Sequence, residues 1–397
     1  MSCPTPSPVC LVALGAFALG MASYATAGLL PMIEAAFAVP VAFAAQLVTA
    51  FTLAYGLGSP LVVALLPAHW QRGGLLGALG LFVLTNAASA LATDFGALLA
   101  FRALVGVSAG VYLAMGIAAS ERLSPPAQRG KTNALIMGGM ASGTVLGVPL
   151  CLLLAERLGW ASAFWLVTAL GGIALLGLAL RLPKLPAAVA TPLKAKLTLL
   201  ADRQVLGILL VSLLAAIASL GMYTFIAPLL AATSQDLARS VTPCLWVWGV
   251  GGVLGSFLIG PLADRIRGPV LTWWIMLILA VALFLLPVAA PLGLWLVMLP
   301  IAAWGAAGWA LQVPQNNELI KARESQGDGN LAVALNGSAL YLGSALGAVL
   351  GGMLLLWQWP ATALASGAGA VAALGVLAQG LKLRRGRLTP HGRIDPR

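Results

Sequence analysis

Residues 268–317 read GPVLTWWIMLILAVALFLLPVAAPLGLWLVMLPIAAWGAAGWALQVPQNN, 50 consecutive positions without a charged side chain. A helix needs about 20 predominantly apolar residues to cross the hydrocarbon core of a membrane. The run is therefore long enough for two membrane-spanning helices, and Pro287 and Pro291 mark the break between them. A second run, residues 329–381, holds two more spans, separated at residues 357–360.

Eight shorter apolar runs account for most of the remaining chain. Seven carry no charge, and the eighth, residues 95–120, is interrupted only by Arg102. The sequence thus predicts an all-α membrane protein with twelve transmembrane helices. The seven uncharged runs are residues 1–33, 35–71, 73–93, 132–155, 158–180, 204–235 and 240–263.

Composition excludes a soluble protein. Hydrophobic residues fill 60% of the 397 positions and charged residues only 8%, whereas soluble domains carry about 25% charged residues. The net charge of +11 is spread over short segments between apolar runs, so the lipid bilayer is a predicted partner and nucleic acid is not. The four cysteines have no metal-ligand spacing, and we predict no cofactor, no metal and no enzymatic activity.

The distribution of Lys and Arg predicts the orientation. With both termini placed in the cytoplasm, 19 basic residues fall in cytoplasmic segments and two, Arg157 and Arg239, fall outside. Cytoplasmic loops of membrane proteins are enriched in these residues. The first apolar run lacks the basic start of a cleaved signal, so we expect it to remain as helix 1. The prediction is a multi-pass protein of the inner (plasma) membrane.

The two halves of the chain repeat one another. When the sequence is shifted by 200 residues, Gly143 and Gly147 coincide with Gly343 and Gly347. Parallel repeats of this kind place a substrate site between the halves, near the middle of the membrane. We predict a monomer built of a six-helix bundle in residues 1–182, a cytoplasmic linker in residues 183–203, and a second six-helix bundle with a basic tail in residues 204–397.

Three motifs resemble those of a known transporter family. Residues 255–265, GSFLIGPLADR, resemble the loop signature of major facilitator superfamily carriers, and residues 98–106, LLAFRALVG, resemble the arginine motif of their fourth helix. Residues 143–150, GTVLGVPL, resemble the fifth-helix motif of the twelve-helix drug:proton antiporters, and the arabinose-efflux-permease branch is the most similar. The resemblance implies two pseudo-symmetric bundles, alternating access, and export of a small-molecule substrate such as a drug, sugar or metabolite.

The resemblance also implies where the substrate binds and what gates its path. In the family, helices 1, 4, 7 and 10 line the cavity, and helix 11 adds to it here. Asp264 would latch against the start of helix 5, near residues 129–132, while Pro149 is expected to bend that helix. The predicted substrate-binding residues are Tyr24, Arg102, Tyr223, Phe225, Trp304, Trp309 and Asn336. The predicted gating and structural residues are Asp264, Arg265, Gly143, Gly147 and Pro149.

Acidic residues are missing at two places where family members carry them. The loop between helices 2 and 3 reads LPAHWQ at residues 66–71, and the helix-1 position corresponds to Ser23. No carboxylate falls at mid-membrane depth, where proton relays generally place one. We therefore expect coupling to be weak, or to use Arg102 with an acid at an outer helix end, Glu34 or Asp94. We also expect the cytoplasmic latch to be one-sided.

Several alternatives stay open on the sequence. Arg102 either faces the cavity or extends towards the outer surface and is merely tolerated there. The protein is a proton antiporter, an uncoupled facilitator, or a membrane receptor or assembly factor that keeps the fold without transport.

Overall fold

The computed structural model describes residues 7–67, 69–125, 128–183, 185, 199, 201–233, 241–326 and 329–388. These residues form helices joined by short turns and contain no β-strand. Twelve of the described helices are long and apolar enough to cross a membrane, which confirms the predicted number and fold class. They are α1 (Pro8–Phe37), α2 (41–65), α3 (Gln71–Ala90), α4 (Phe95–Leu123), α5 (129–158), α6 (Ala161–Arg181), α7 (Arg203–Thr224), α8 (Val241–Arg265), α9 (Gly268–Ala289), α10 (294–322), α11 (Gly329–Leu356) and α12 (Ala361–Leu388).

The two halves of the chain use the same helix pairs. In the first half, α1 packs against α5 and α6, α2 against α4, and α3 against α6. In the second half, α7 packs against α11 and α12, α8 against α10, and α9 against α12. Each pair thus recurs six helices later, as in two bundles related by pseudo-symmetry. Most of the predicted linker, residues 183–203, lies outside the described residues, and the domain boundaries stay a prediction.

Glycines allow the first and fifth helices of each half to approach closely. A Cβ atom on Gly143 of α5 would meet the carbonyl oxygen of Phe17 in α1. A Cβ atom on Gly343 of α11 would lie 2.7 Å from the carbonyl oxygen of Leu213 in α7. Small residues bring helix backbones together in this way within membranes. The 200-residue repeat in the sequence therefore corresponds to one packing interface that the molecule uses twice.

Two membrane helices contain a π-helical turn just before a proline. In α2 the turn covers Ala54–Gly58 and Pro60 follows it; in α5 the turn covers Gly143–Gly147 and Pro149 follows it. Proline has no N–H, so the carbonyl group four residues earlier loses its helical donor. Prolines and π-helical turns are the usual places where a helix departs from regular geometry. In α5, where Pro149 was expected to bend the helix, the irregularity is this π-helical turn, which is wider than an α-helical turn.

Polar contacts join helix ends on the side of the molecule where α1 begins and α12 ends, which we call the proximal side. Arg72, at the start of α3, donates to two carbonyl oxygens at the end of α6, at 2.7 and 2.9 Å. Asp202 accepts from the N–H of Gln204 at 2.8 Å and forms an ion pair with Arg323 at 3.0 Å. The backbone N–H of Gln204 lowers the pKa of Asp202 most, and Arg323 lowers it further. The ionised carboxylate therefore joins the start of α7 to the end of α10.

Large apolar side chains cover the outside of the helices. Leu65, Leu180 and Trp295 are between 81% and 84% exposed. A soluble protein rarely leaves a wide apolar surface in water. Lipid is the solvent that suits this surface.

Candidate functional site

A cavity of about 530 Å³ lies between the two halves. Its walls come mainly from the parts of α2, α4, α5, α8, α10 and α11 that are nearest to the proximal side, while α1 and α7 contribute residues from nearer their middles. No charged side chain is among the described residues that line it. The polar and aromatic lining residues are Tyr24, Tyr55, Ser59, Thr144, Ser212, Ser219, Ser256, Trp309, Gln312, Asn336, Ser338 and Tyr341.

Contacts between the halves close the opposite, distal side. Thr242 of α8 donates to the Glu156 carboxylate of α5 at 3.3 Å. Gly352 of α11 lies against Ala42 of α2, since a Cβ atom on this glycine would stand 3.3 Å from the Ala42 carbonyl oxygen. The cavity is therefore reached from the proximal side and sealed on the distal side. Alternating access requires such a one-sided arrangement at each end of its cycle.

Aromatic rings from both halves cluster at the deep end of the cavity, where Tyr24 and Trp309 line the wall and the other rings are buried behind them. Tyr24 of α1 meets Tyr223 of α7 edge to face, with ring centroids 5.4 Å apart. Trp248 of α8 lies 4.5 Å from Tyr223, 5.8 Å from Trp309 and 6.1 Å from Trp304. Tilted and edge-to-face pairs at these distances attract one another beyond the effect of burial alone. The cluster therefore joins α1 to α7, α8 and α10 and offers an apolar surface to a solute.

A second aromatic contact crosses the interface between α2 and α11. The rings of Tyr55 and Tyr341 stack with centroids 3.7 Å apart and planes 20° apart. Both residues line the cavity, and Tyr341 also borders a void of about 10 Å³ beside Ser23 and Tyr223. The stack therefore lies where the cavity ends and the sealed part of the interface begins.

Arg102 lies inside the first half of the molecule, away from the cavity wall. Its side chain is completely buried, and Nη2 donates to the carbonyl oxygen of Ala22 at 2.8 Å. The guanidinium group lies over the rings of Phe51 and Phe164, at 4.8 and 5.7 Å from their centroids. The Nε and Nη1 atoms have no hydrogen-bond partner within the described part of the chain. Two aromatic faces and one carbonyl group thus surround a charge that contacts no carboxylate.

A sequence model described as Major Facilitator Superfamily matches residues 12–323, well over half of the chain. The chain belongs to the major facilitator superfamily. It is accordingly a membrane transporter and not an enzyme.

Related proteins and a solved structure agree with this membership. The chain is 31% identical over 349 residues to the inner membrane transport protein YdhP of Escherichia coli K12, covering 88% of each chain. It is 31% identical over 264 residues to a chloramphenicol resistance protein of Streptomyces lividans, covering 66% of this chain and 67% of the other. It is 27% identical over 351 residues to a probable sugar efflux transporter of Helicobacter acinonychis, covering 87% and 88%. The crystal structure of the nucleoside transporter NupG shares the fold, with a TM-score of 0.74, 14% identity and coverage of 94% and 98%.

The superfamily fold brings three of the seven predicted binding residues to the cavity wall, and four lie elsewhere. Arg102 is in the first half, where it faces neither the cavity nor the outer surface. The substrate-binding role of all seven stays a prediction. The residues on the wall are Tyr24, Trp309 and Asn336. Those buried outside the cavity wall are Tyr223, Phe225, Trp304 and Arg102.

The acids predicted to help Arg102 do not contact it. Asp94 is exposed and caps α4 by accepting from the N–H of Ala97 at 2.8 Å. Glu34 is half-buried near the distal end of α1. Ser23, the predicted counterpart of the family's helix-1 acid, donates to the carbonyl oxygen of Leu19 in its own helix at 2.9 Å. In this state of the transporter, neither outer acid contacts Arg102, so the predicted coupling through this pair has no structural support.

The predicted gating residues lie at two different places. Asp264 and Arg265 are exposed at the end of α8, on the side where the cavity opens. Gly143 and Gly147 face α1 of their own half, so the contact of α5 with α8 across the interface is made by other residues, such as Val145. The latch of Asp264 stays a prediction for a state in which this side is closed.

Sequence reasoning missed several residues of this site, among them Trp248, Ser212 and Ser219. Trp248 is buried at the centre of the aromatic cluster, and nothing in its apolar neighbourhood distinguished it from a packing residue. Ser212 and Ser219 line the cavity from α7. Their separation of seven residues is two helical turns, which places both on one face of the helix. That spacing was the available signal for a cavity-lining face of α7.

Replacing Arg102 by methionine is expected to stabilise the protein. Methionine has a similar length without a charge, and replacing a buried ion pair by apolar residues often gains about 1–4 kcal/mol, so we expect a gain of that order from removing a buried charge without a counter-charge among the described residues. Ala22 lies within α1, so its carbonyl oxygen keeps the helical donor four residues later. The check is the thermal unfolding midpoint in detergent, with Arg102→Lys as the variant that keeps the charge and should show no gain. A lower midpoint for Arg102→Met would mean that the guanidinium holds the bundle together.

Proposed function

We propose that this transporter resides in the inner membrane with both termini in the cytoplasm and exports small uncharged organic solutes by alternating access. The observation that carries the proposal is the uncharged cavity that opens on the proximal side, where α1 begins and α12 ends. The 19-to-2 distribution of Lys and Arg supports a cytoplasmic position for that side. On that orientation the cavity is loaded from the cytoplasm. One chain contains the whole cavity, which supports a monomer as the working unit.

The names of relatives support both the membrane and the direction. One relative is an inner membrane transport protein, and another is a chloramphenicol resistance protein. A third is named as a probable sugar efflux transporter. Movement of an organic solute out of the cell would account for the names of the resistance protein and the efflux transporter.

The cavity chemistry supports an uncharged solute. Ligand sites of this size are mostly apolar, with a few polar groups that fix orientation. A charged solute would give up its hydration here without gaining a counter-charge from the described walls, which is strongly unfavourable. An amphipathic molecule with a hydrogen-bonding end fits these walls best.

We also propose that protons drive this transport weakly or not at all. Proton relays in transporters generally use carboxylates or histidines at membrane depth. The described cavity lining contains neither, and Ser23 is the predicted counterpart of the family's helix-1 acid. The absence of these groups from the described lining favours a facilitator, or a carrier whose transport is only weakly coupled to protons.

Purified transporter in liposomes tests both parts of the proposal. Chloramphenicol is the probe, because a relative's name refers to it. We expect the protein to speed chloramphenicol equilibration over protein-free liposomes, with less than about a twofold change in the final internal concentration under a gradient of one pH unit. One-for-one proton antiport would instead give about tenfold accumulation, since one pH unit corresponds to about 1.4 kcal/mol.

Two results would contradict these proposals in different ways. Accumulation near tenfold would overturn the weak coupling while supporting transport. Equilibration no faster than in protein-free liposomes, for chloramphenicol and for a panel of neutral sugars, would favour the reading as a receptor or assembly factor that does not transport.

A further inference from the structure

The serine and threonine hydroxyl groups on the first-half wall of the cavity already have hydrogen-bond partners, and the phenol groups of Tyr24 and Tyr55 are the other polar groups on that wall. Ser59 of α2 donates to the carbonyl oxygen of Tyr55 at 2.6 Å, and Thr144 of α5 donates to that of Met140 at 3.2 Å. Both hydroxyl groups are thus bonded within their own helices. Much of the rest of this wall is apolar, with Leu113 among its side chains.

The second-half wall contains polar groups that have no partner. Ser212 of α7 and Asn336 of α11 both line the cavity and are 1% and 2% exposed. Neither Ser212 Oγ nor Asn336 Oδ1 has a hydrogen-bond partner among the described residues. Asn336 Nδ2 donates to the side-chain oxygen of Asn316 at 2.8 Å, which orients the amide and leaves Oδ1 as an unused acceptor. We call Ser212 and Asn336 the polar edge.

The unpaired groups of the polar edge lower the stability of the protein unless a ligand forms hydrogen bonds with them. A buried donor or acceptor without a partner destabilises a protein by about 1–3 kcal/mol. Native proteins leave few such groups, and those that remain require an explanation. Two of them on adjacent helices, both on the wall of one cavity, indicate groups kept free for a ligand.

We infer that the polar edge anchors the hydrogen-bonding end of the solute, while its apolar part lies against the first-half wall. This inference rests on the proposed function and deepens it. Asn336 Oδ1 accepts, so the solute must bring an N–H or O–H donor. The Ser212 hydroxyl both donates and accepts, so it suits the carbonyl group of an amide or a second hydroxyl group. The transporter therefore selects uncharged amides and alcohols with an apolar body, and it discriminates against anions and against solutes without a donor.

Three probes with the same apolar body test this selection. They are 4-phenylbutanamide, which has donor and acceptor, its methyl ester analogue, which has acceptors only, and the 4-phenylbutanoate anion. Affinity is measured by equilibrium dialysis against the full-length protein in detergent. One hydrogen bond contributes about 0.5–1.5 kcal/mol, which corresponds to about 2- to 12-fold in affinity. We expect the amide to bind about 3- to 10-fold more tightly than the ester, and the anion to bind most weakly.

Variants of the polar edge test whether these two residues bind the hydrogen-bonding end of the solute. Asn336→Leu should weaken amide binding about 3- to 10-fold and leave ester binding within about twofold, and Ser212→Ala, a smaller change, should weaken binding of both about 3- to 10-fold, because the ester carbonyl group can also accept from the Ser212 hydroxyl. The matched controls are Thr85→Val and Ser89→Ala in α3, whose buried hydroxyl groups donate to carbonyl oxygens of their own helix and do not line the cavity; they should change neither. Gel filtration of each variant verifies that it remains folded, and Ser212→Ala carries the test if Asn336→Leu is not folded.

The outcomes separate this inference from the proposed function. Equal binding of amide and ester by the unaltered protein would overturn the inference, as would equal losses for the polar-edge and control variants. So would chloramphenicol transport by a protein that binds none of the three probes. Absence of both probe binding and chloramphenicol transport would instead contradict the proposed function and the inference together.

Discussion

A disulfide between positions 42 and 352 is expected to stop transport completely. A Cβ atom on Gly352 would lie 3.9 Å from the Cα atom of Ala42, which is compatible with the Cα separation of about 4.4–6.8 Å in disulfides. The two positions belong to α2 and α11, so the bond in the Ala42→Cys, Gly352→Cys double variant would hold the distal side closed. Alternating access requires this side to open. Chloramphenicol equilibration in liposomes should therefore fall to the protein-free rate on oxidation and recover on reduction.

A cross-link within one half provides the matched control. A Cβ atom on Gly171 of α6 would lie 3.0 Å from a methyl carbon of Val83 in α3, so Val83→Cys with Gly171→Cys should also form a disulfide. Both pairs are made in a background in which the four native cysteines are replaced by serine. The control pair should transport equally well oxidised and reduced. Undiminished transport by the oxidised 42–352 pair would show that α2 and α11 stay in contact throughout the cycle.

Replacing Gly143 by alanine is expected to destabilise the fold severely. The added Cβ atom would meet the carbonyl oxygen of Phe17, which is backbone and cannot move aside without displacing α1. Overpacking a well-packed interior typically costs about 1–3 kcal/mol, and more where the neighbour cannot yield. We expect a fall in the unfolding midpoint measured in detergent, accompanied by poor yield of folded protein.

Gly138 of the same helix is the control for this substitution. It is exposed, and a Cβ atom there would have no neighbour within 4 Å. Alanine is about 1 kcal/mol better than glycine in a helix, so Gly138→Ala should leave the midpoint unchanged or raise it. Equal midpoints for the two variants would mean that α1 and α5 are separated by more than the structure indicates.

The number of helices and the repeat were predictable because both depend on local composition. In lipid each span must satisfy its own backbone hydrogen bonds, so a long uncharged run such as residues 268–317 predicts helices wherever the rest of the chain lies. Glycines at the same positions of two halves, Gly143 and Gly343, likewise indicated one interface used twice. Motif resemblance added the superfamily for the same reason, since a motif is a local property of the chain.

The direction in which a membrane-buried side chain points was not predictable in the same way. A helix that is apolar on all sides carries no periodic signal for its cavity face, because lipid and protein interior are both apolar. The same reasoning therefore named Tyr24, Trp309 and Asn336, which lie on the cavity wall, and Arg102, which lies away from it, and the substrate-binding role of all four stays a prediction. Arg102 turns into its own half because the rings of Phe51 and Phe164 and a carbonyl oxygen of α1 meet there. Only the packing of distant helices brings these groups together, and only that packing leaves Ser212 and Asn336 without partners on one wall of the cavity.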